Sequence, residues 1–229
     1  MDFKGIYFYF FNVEIMWEVF PQLLSGVWVT IKVSLSIIAL GFPLGLILAV
    51  IRSMNIKYIG KPLDWLIKVY VDVLRASPYL VLVSLVYFAL PFVGIQLTTF
   101  WATVLSFGAC LSAFAEEIFR AGIEAVGKDQ KEAAKSLGLS FFQTTLYVVL
   151  PQAIRLAIPT LTNRTVAITK AISMASAIAL PDLLKQARSM QALVANPTPL
   201  VQAAILYVII FYPFVRLTLH LEKKMGEGL

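Results

Sequence analysis

DQKEAAKSLGLSFFQTTLYVVLP, residues 129–151, is a polar, helix-forming insert between two long apolar blocks of this chain. Asp129, followed three positions later by Glu132, has the pattern of a helix N-cap, in which side-chain oxygens accept the free backbone N–H groups. Gly138 suits the left-handed backbone position that ends a helix. We therefore predict a helix over residues 130–137, roughly 12 Å long.

The predicted helix is too short to be stable by itself, because isolated helices of this length are marginal in water. It needs a surface to pack on. Ala133, Ala134 and Leu137 fall on one face of the helix, and the small alanines permit close approach. Two alternatives remain open: the surface belongs to another protein, or the helix is a connector packed on its own chain.

The composition indicates a membrane protein. Of the 229 residues, 59% are hydrophobic and 14% are charged, and the mean hydropathy is +0.82. Soluble domains are about half apolar and a quarter charged. The net charge of +6 does not indicate nucleic-acid binding, since the basic residues lie between apolar spans rather than in one patch. The single cysteine, Cys110, excludes an intramolecular disulfide framework.

Five segments are long and apolar enough to cross a bilayer, for which about 20 mostly apolar residues are needed. They run over about 23–51, 65–91, 98–118, 154–177 and 200–221. Pro78 should kink or break the second span, and Arg75 should anchor its cytoplasmic half. A second capping box, Ser140 with Gln143, predicts that the fourth helical segment begins before its apolar part. The expected fold is therefore all-α and membrane-embedded.

The N-terminal residues 1–22 differ from a signal peptide, because Glu14 and Glu18 interrupt the apolar run. Their cluster of aromatic side chains predicts an amphipathic segment lying in the membrane interface. Residues 23–225 then form a single transmembrane domain, with a cytoplasmic coupling loop at 120–145.

The basic residues predict the orientation. One set of connections is rich in them: Arg52, Lys57, Lys61, Arg120, Lys128, Lys131, Lys135, Lys223 and Lys224. The opposite set includes the charge-free PFVGIQLTT and a modestly charged segment around Asp182. The positive-inside rule therefore places the N-terminus outside, and the C-terminus and the insert in the cytoplasm.

The insert resembles the Glu-Ala-Ala loop of ABC importer permeases. The matching residues are Glu132, Ala133, Ala134, Gly138, Leu150 and Pro151. The segments VLRASPYLVLVSLVYFALP, SAFAEEIFRAGIEAV and PTLTNRTVAITKAISMASAIALPDLL are similar to the polar amino-acid branch of that family. Together these segments extend over most of the chain from Leu23 onward.

The resemblance implies the type I importer permease fold with five transmembrane helices, in the bacterial plasma (inner) membrane. It also implies that the short helix docks in a groove of a separate ATPase dimer through Glu132, Ala133, Ala134, Leu137 and Gly138. The chain would be half of a permease dimer, homomeric or heteromeric, served by an extracellular amino-acid-binding protein. ATP and Mg would bind to the ATPase, with no cofactor or metal on this chain.

One motif falls short of a phosphate-binding loop. GIEAVGKD, residues 122–129, has Asp129 where a Ser or Thr should coordinate magnesium, and it follows a membrane helix rather than a strand. An aspartate there would repel nucleotide phosphates. We therefore expect ATP to bind to another protein.

Four polar residues in the spans are candidates for the substrate path: Glu116, Glu117, Asn163 and Lys170. Charges within a membrane are costly and usually face a bundle interior or a water-filled path. Either glutamate can instead pair with Arg120, one turn away. Glu116 is the better candidate to hold an ammonium group. The resemblance makes Glu117 the family's glutamate and Glu116 a departure from its pattern.

Asn163 and Lys170 belong to a stripe at helical spacing with Arg155, Pro159 and Ala167. This stripe could meet a substrate carboxylate. Alternatively, Asn163 bonds a neighbouring helix and Lys170 pairs with a glutamate. The family often has an aspartate after this lysine, whereas this chain has Ala171.

Two rival functions remain. A stand-alone secondary carrier or channel for polar amino acids would use the glutamates as a proton relay, but no inverted repeat is visible. An intramembrane enzyme lacks support, because the only histidine, His220, lies at the end of the last span and no catalytic motif is present. The chain is therefore expected to be a transport subunit without catalytic residues. The sequence leaves the substrate open among cationic, cystine-like and other polar amino acids.

Overall fold

The computed structural model describes residues 3–54 and 60–226, and Lys57 lies outside them. Within these ranges the chain is helical and contains no strand. The helices are α1 (Phe3–Phe10), α2 (Val13–Ser53), α3 (Lys61–Ala76), α4 (Tyr79–Ala89), α5 (Thr99–Ala125), α6 (Lys128–Ser136), α7 (Phe141–Gln143), α8 (Leu150–Ala171), α9 (Leu183–Val194) and α10 (Thr198–Gly226). The expectation of an all-α membrane fold is confirmed.

Four helical segments of the described residues are long and apolar enough to span a membrane, or five if one broken pair is counted. The four are Tyr7–Ser53, Thr99–Ala125, Phe141–Ile178 and Thr198–His220. The second of these begins one residue after the predicted start at residue 98. The third and fourth begin before the predicted starts at residues 154 and 200. The first is much longer than predicted, because α2 continues through the proposed boundary at residues 22 and 23.

The predicted second span is two helices rather than one kinked helix. Helix α3 ends at Ala76, Ser77 is extended with ψ 132°, and Pro78 is the N-cap of α4. The physical reason is that proline disfavours the helical conformation of the residue before it as well as removing a hydrogen bond. Pro78 therefore ends the helix completely, so the expected disruption at this residue is confirmed as a break rather than a kink.

The helical chain divides into two compact units. Unit 1 comprises Met1–Ile37, Pro78–Phe107 and Val166–Val215. Its core contains Leu23 of α2, Leu183 of α9 and Ala203 of α10. Gly26 permits this packing, because a Cβ on it would lie 2.8 Å from the Leu183 Cα. The Thr30 hydroxyl also accepts the Leu183 N–H at 3.2 Å, so the start of α9 is held against α2.

Unit 2 comprises Ile38–Ser77, Gly108–Thr165 and Arg216–Leu229. A core cluster joins its parts of α2, α5 and α8 and the residues directly beside them: Ala49, Ala115, Phe119, Ile123, Val126, Val149, Ala153, Ala157 and Leu161. Two glycines allow close helix contact. A Cβ on Gly45 would lie 2.6 Å from the Ala115 Cβ, and one on Gly122 would lie 2.8 Å from the Ala153 carbonyl oxygen. Small residues of this kind let membrane helices approach closely.

Candidate coupling helix and substrate path

Helix α6, Lys128–Ser136, lies where the sequence predicts the short helix, but it begins differently. Its N-cap is Gly127, and no side chain caps it. Asp129 falls inside the first turn, where its charge is favourable beside the free N–H groups. The prediction of an Asp129 and Glu132 cap was therefore wrong. The helix starts one residue before Asp129, so neither carboxylate occupies a capping position.

The end of α6 confirms the prediction for Gly138. This residue is left-handed, with φ +80°. The Gly138 N–H donates to the Lys135 carbonyl at 2.9 Å, and the Leu139 N–H donates to the Ala134 carbonyl at 3.2 Å. These two bonds form a Schellman motif, which requires the left-handed residue. The capping box of Ser140 with Gln143 is also present.

Helix α6 packs one face on its own chain and leaves the other uncovered. Ala134 is buried, and Lys131 donates from Nζ to the Ile123 carbonyl at 3.1 Å, which connects α6 to α5. Ala133 is exposed, and Leu137 has 82% of its surface accessible. Ala134 therefore does not share a free face with Ala133 and Leu137, contrary to the expectation.

Glu116 forms a buried ion-pair cluster. It has no accessible surface, and its Oε1 accepts from Arg52 Nη1 at 3.0 Å and lies 3.5 Å from Arg120 Nε. Arg52 also donates from Nε to Asp64 at 3.2 Å. The sequence leaves the pairing of Glu116 with Arg120 open as an alternative, but it does not predict the contact with Arg52. Gly45 is the feature of the sequence that could have indicated this contact. It lies against α5 beside Glu116, and Arg52 follows it by two helical turns on the same face of α2.

Glu117 pairs with a different arginine from the one considered. Its Oε2 lies 2.7 Å from Arg75 Nη2, whereas Arg120 donates from Nη1 to Glu124 at 2.7 Å. About 90–110° separates adjacent residues on a helix, so Glu116 and Glu117 point to different neighbours. Arg75 also lies over the Phe114 ring, 5.4 Å from its centroid. Arg75 thus connects α3 to α5.

Asn163, in unit 2, and Lys170, in unit 1, are both exposed on α8. Pro159, which the predicted stripe includes, is buried. Of the other residues in the predicted stripe, Arg155 and Ala167 are exposed as Asn163 and Lys170 are.

Lys170 lines a cavity of about 370 Å³ in unit 1. The other lining residues are Ser173, Tyr207, Val208, Phe211, Tyr212 and Val215. The Lys170 Nζ lies 5.8 Å from the centroid of the Phe211 ring, which stacks on Tyr207. The cavity therefore offers one ammonium group beside an aromatic wall. In such a site the ammonium group can pair with a carboxylate, and the aromatic rings can pack against an apolar or planar group of the same ligand.

The comparisons with known proteins identify the family. The model of the family described as a binding-protein-dependent transport system inner membrane component matches residues 41–227. The chain belongs to this family. It is 35% identical over 222 residues to the probable glutamine ABC transporter permease protein GlnM of Bacillus subtilis (strain 168), covering 95% of this chain and 99% of GlnM.

Two further relatives are also permease proteins of amino-acid transport systems. The probable amino-acid ABC transporter permease protein YckA of the same organism is 36% identical over 180 residues, which cover 79% of this chain and 78% of YckA. The arginine transport system permease protein ArtQ, also from that organism, is 30% identical over 210 residues, which cover 91% and 94%.

Solved structures confirm the fold. An amino acid ABC transporter crystallised with histidines matches with a TM-score of 0.81 and 31% identity, covering 91% of this chain and 96% of that chain. The MetNI methionine ABC transporter in an inward-facing conformation, at 19% identity and a TM-score of 0.66, supports the fold alone. This chain is an ABC transporter permease subunit with the type I importer permease fold. It is a transport component and not an enzyme, and its family implies ATPase and permease partners.

Proposed function

We propose that this permease is the membrane subunit of an ATP-driven amino-acid importer, coupled to a separate ATPase dimer through α6. The observation that carries the proposal is the exposure of Leu137, the residue directly after α6, while Ala134 of that helix is packed on its own chain. Leu137 is 82% exposed at the end of this short helix. An exposed apolar side chain in this position is available to contact the surface of another protein. Glu132, Ala133 and Gly138 are exposed around it. Ala134 contributes to the coupling indirectly, because its buried side chain packs α6 against the rest of the chain.

The proposed substrate path includes Lys170. Its ammonium group and the aromatic wall of its cavity suit the carboxylate and side chain of an amino acid. Asn163 and Glu117 are further candidates because they keep accessible surface in this chain. Glu116 is assigned a different role, since it is completely buried and its Oε1 is already paired with two guanidinium groups.

The proposed assembly contains a second permease copy, identical or related, and an extracellular amino-acid-binding protein. ATP and Mg bind to the ATPase subunits. The proposed location is the bacterial inner membrane, with the N-terminus outside and α6 in the cytoplasm. The names of the relatives support amino acids as the substrate class.

Reconstitution in proteoliposomes tests this function. Vesicles contain the chain alone or with its ATPase and binding protein, and uptake of radiolabelled glutamine, arginine and cystine is followed with and without ATP. We expect uptake of at least one of them only with ATPase and ATP. Uptake by the chain alone would instead establish a secondary carrier or channel.

The docking surface has its own test, in which the ATPase is co-purified with a tagged permease. Leu137→Asp should greatly reduce the ATPase retained, because it places a charge in an apolar contact. Leu193→Asp is the matched control, since Leu193 is similarly exposed, at 74%, but lies on α9. Equal retention by both variants would remove α6 from the interface.

A further inference from the structure

A second cavity, of about 460 Å³, lies between α6 and the ends of its neighbouring helices in unit 2. Its lining residues are Arg52, Ser53, Met54, Ile123, Lys131, Lys135, Phe141, Thr144, Thr145 and Val149. Three of these residues are cationic, and none of the described residues that line the cavity carries a carboxylate. This cavity is separate from Lys170 and from the exposed Leu137.

The positive charge in this cavity is only partly neutralised. Arg52 is compensated by Glu116 and Asp64. Among the residues whose side chains the structure describes, no carboxylate forms an ion pair with Lys131 or Lys135, and Lys131 donates to a neutral carbonyl, that of Ile123. Two ammonium groups on successive turns of α6 therefore border this cavity, and the described side chains provide no carboxylate to neutralise them.

Thr144 supplies an independent indication of a ligand. It is 4% exposed and lines the cavity, yet its hydroxyl has no hydrogen-bond partner within the described part of the chain. Helical threonines usually donate to the carbonyl four residues earlier. Several in this chain do so: Thr30, Thr103, Thr162 and Thr165. Leaving a buried hydroxyl unpaired is costly, so its partner is expected to be a molecule in the cavity.

The local backbone has a further unusual feature. Thr144 opens a six-residue π-helical turn, Thr144–Val149, between α7 and α8. Such turns are rare and occur frequently at functional sites. This turn places Thr144, Thr145 and Val149 together on the cavity wall.

We propose that this cavity binds a phosphate-bearing anion through the ammonium groups of Lys131 and Lys135 and the hydroxyl of Thr144. Phosphate oxygens accept several hydrogen bonds at once and pair with ammonium groups. Ile123, Phe141 and Val149 also line the cavity, and their apolar side chains can contact an apolar group attached to the phosphate. The anion has two possible sources, the headgroup of an anionic lipid and a soluble phosphate.

Binding of this anion would connect α6 to the segment that follows it. Lys131 and Lys135 belong to α6, whereas Thr144 lies beyond the loop after Gly138. An anion held by both segments restrains α6 relative to α8. The site is a property of this chain alone, so it is tested without transport.

The test measures binding to the full-length chain purified in detergent. One arm adds inorganic phosphate, with chloride at equal ionic strength as the reference, and follows the melting temperature by tryptophan fluorescence. The other arm places the chain in nanodiscs of phosphatidylglycerol or phosphatidylcholine and counts retained lipids by native mass spectrometry. A response to phosphate identifies a soluble ligand, and selective retention of phosphatidylglycerol identifies a lipid headgroup. No preference in either arm would overturn the proposal.

Two variants and a control connect the response to the cavity. Thr144→Val should leave the melting temperature without anion unchanged or higher, because its hydroxyl has no partner to lose. Thr144→Val and Lys135→Gln should each weaken anion binding roughly tenfold, as expected for one charge-assisted hydrogen bond. Lys128→Gln changes the same charge on the same helix outside the cavity and should bind as the unaltered chain does. Unaltered binding by both cavity variants would refute the site.

Discussion

Arg52 Nη1 lies 3.0 Å from Glu116 Oε1, and the pair joins the end of α2 to the middle of α5. Glu116 is completely buried, and Arg120 approaches the same oxygen from the following turn. A buried carboxylate remains charged only when cations compensate its lost hydration. Glu116 therefore has the environment of a structural ion pair that holds two spanning helices together.

Glu116→Gln should lower the stability of the permease strongly, by about 3–5 kcal/mol, because it leaves buried guanidinium groups without their carboxylate. Thermal unfolding of the purified chain in detergent measures the effect. Glu117→Gln is the control: its pair with Arg75 is partly exposed, and such pairs contribute about 1 kcal/mol or less. An altered amino-acid preference in Glu116→Gln, with normal stability, would return Glu116 to the substrate path.

Lys170→Met should raise the KM for amino-acid uptake at least tenfold, because it removes the ammonium group of the cavity while keeping the length of the side chain. The melting temperature should change little, since Lys170 is exposed. Uptake at several substrate concentrations in proteoliposomes gives the KM. Lys185→Met, on α9 and outside this cavity, serves as the control. A KM equal to that of the unaltered permease would remove Lys170 from the path.

Gly138→Val should abolish ATP-driven uptake, because a β-branched residue resists φ +80° and the Schellman motif would open. The local cost is about 1–2 kcal/mol, and its origin is the backbone, since a Cβ at Gly138 meets nothing within 4 Å. Gly138→Asn is the matched variant and should retain much of the activity, because asparagine tolerates the left-handed conformation. Normal uptake by Gly138→Val would contradict this account of the turn.

Asp182 should make stability depend on pH. Burial raises the pKa of this carboxyl to about 6, despite hydrogen bonds from the backbone N–H groups of Lys185 and Leu184 and from the Tyr207 hydroxyl. The folded chain therefore keeps a proton between about pH 4 and 6, where the unfolded chain releases it. This contribution, on the order of 3 kcal/mol, is present at low pH and is lost as the pH rises through about 6.

Melting temperatures at pH 5 and pH 7 test this prediction. The unaltered chain should lose more stability between these two values than Asp182→Asn, because asparagine does not titrate and also serves as an N-cap for α9. Identical pH dependence in the two chains would show that Asp182 does not titrate in this range.

The helical segments could be predicted because their signals are local. Apolar stretches of sufficient length indicate spans, and the position of Gly138 after a helix-forming run indicates its left-handed conformation. The start of α6 was misplaced by the same local reasoning, since Asp129 and Gly127 are both acceptable caps and the chain uses the earlier one. Pro78 was recognised as a disruption, but its effect on Ser77 made it a complete break.

Contacts between distant residues needed the tertiary structure. Arg52 and Glu116 are 64 positions apart and meet because Gly45 lets α2 approach α5. The unpaired Thr144 hydroxyl and the two lysines around the second cavity become visible only when α6 is docked on its own chain.

By itself, the sequence determined the membrane location of the helices, the short helix in the insert and its terminating glycine, because hydropathy and turn chemistry act over a few residues. Only the tertiary structure decided which face of α6 packs on its own chain, which arginine each glutamate pairs with, and that Glu116 is completely buried within this chain. Those outcomes depend on how closely particular helices approach, which residue spacing along the chain does not specify.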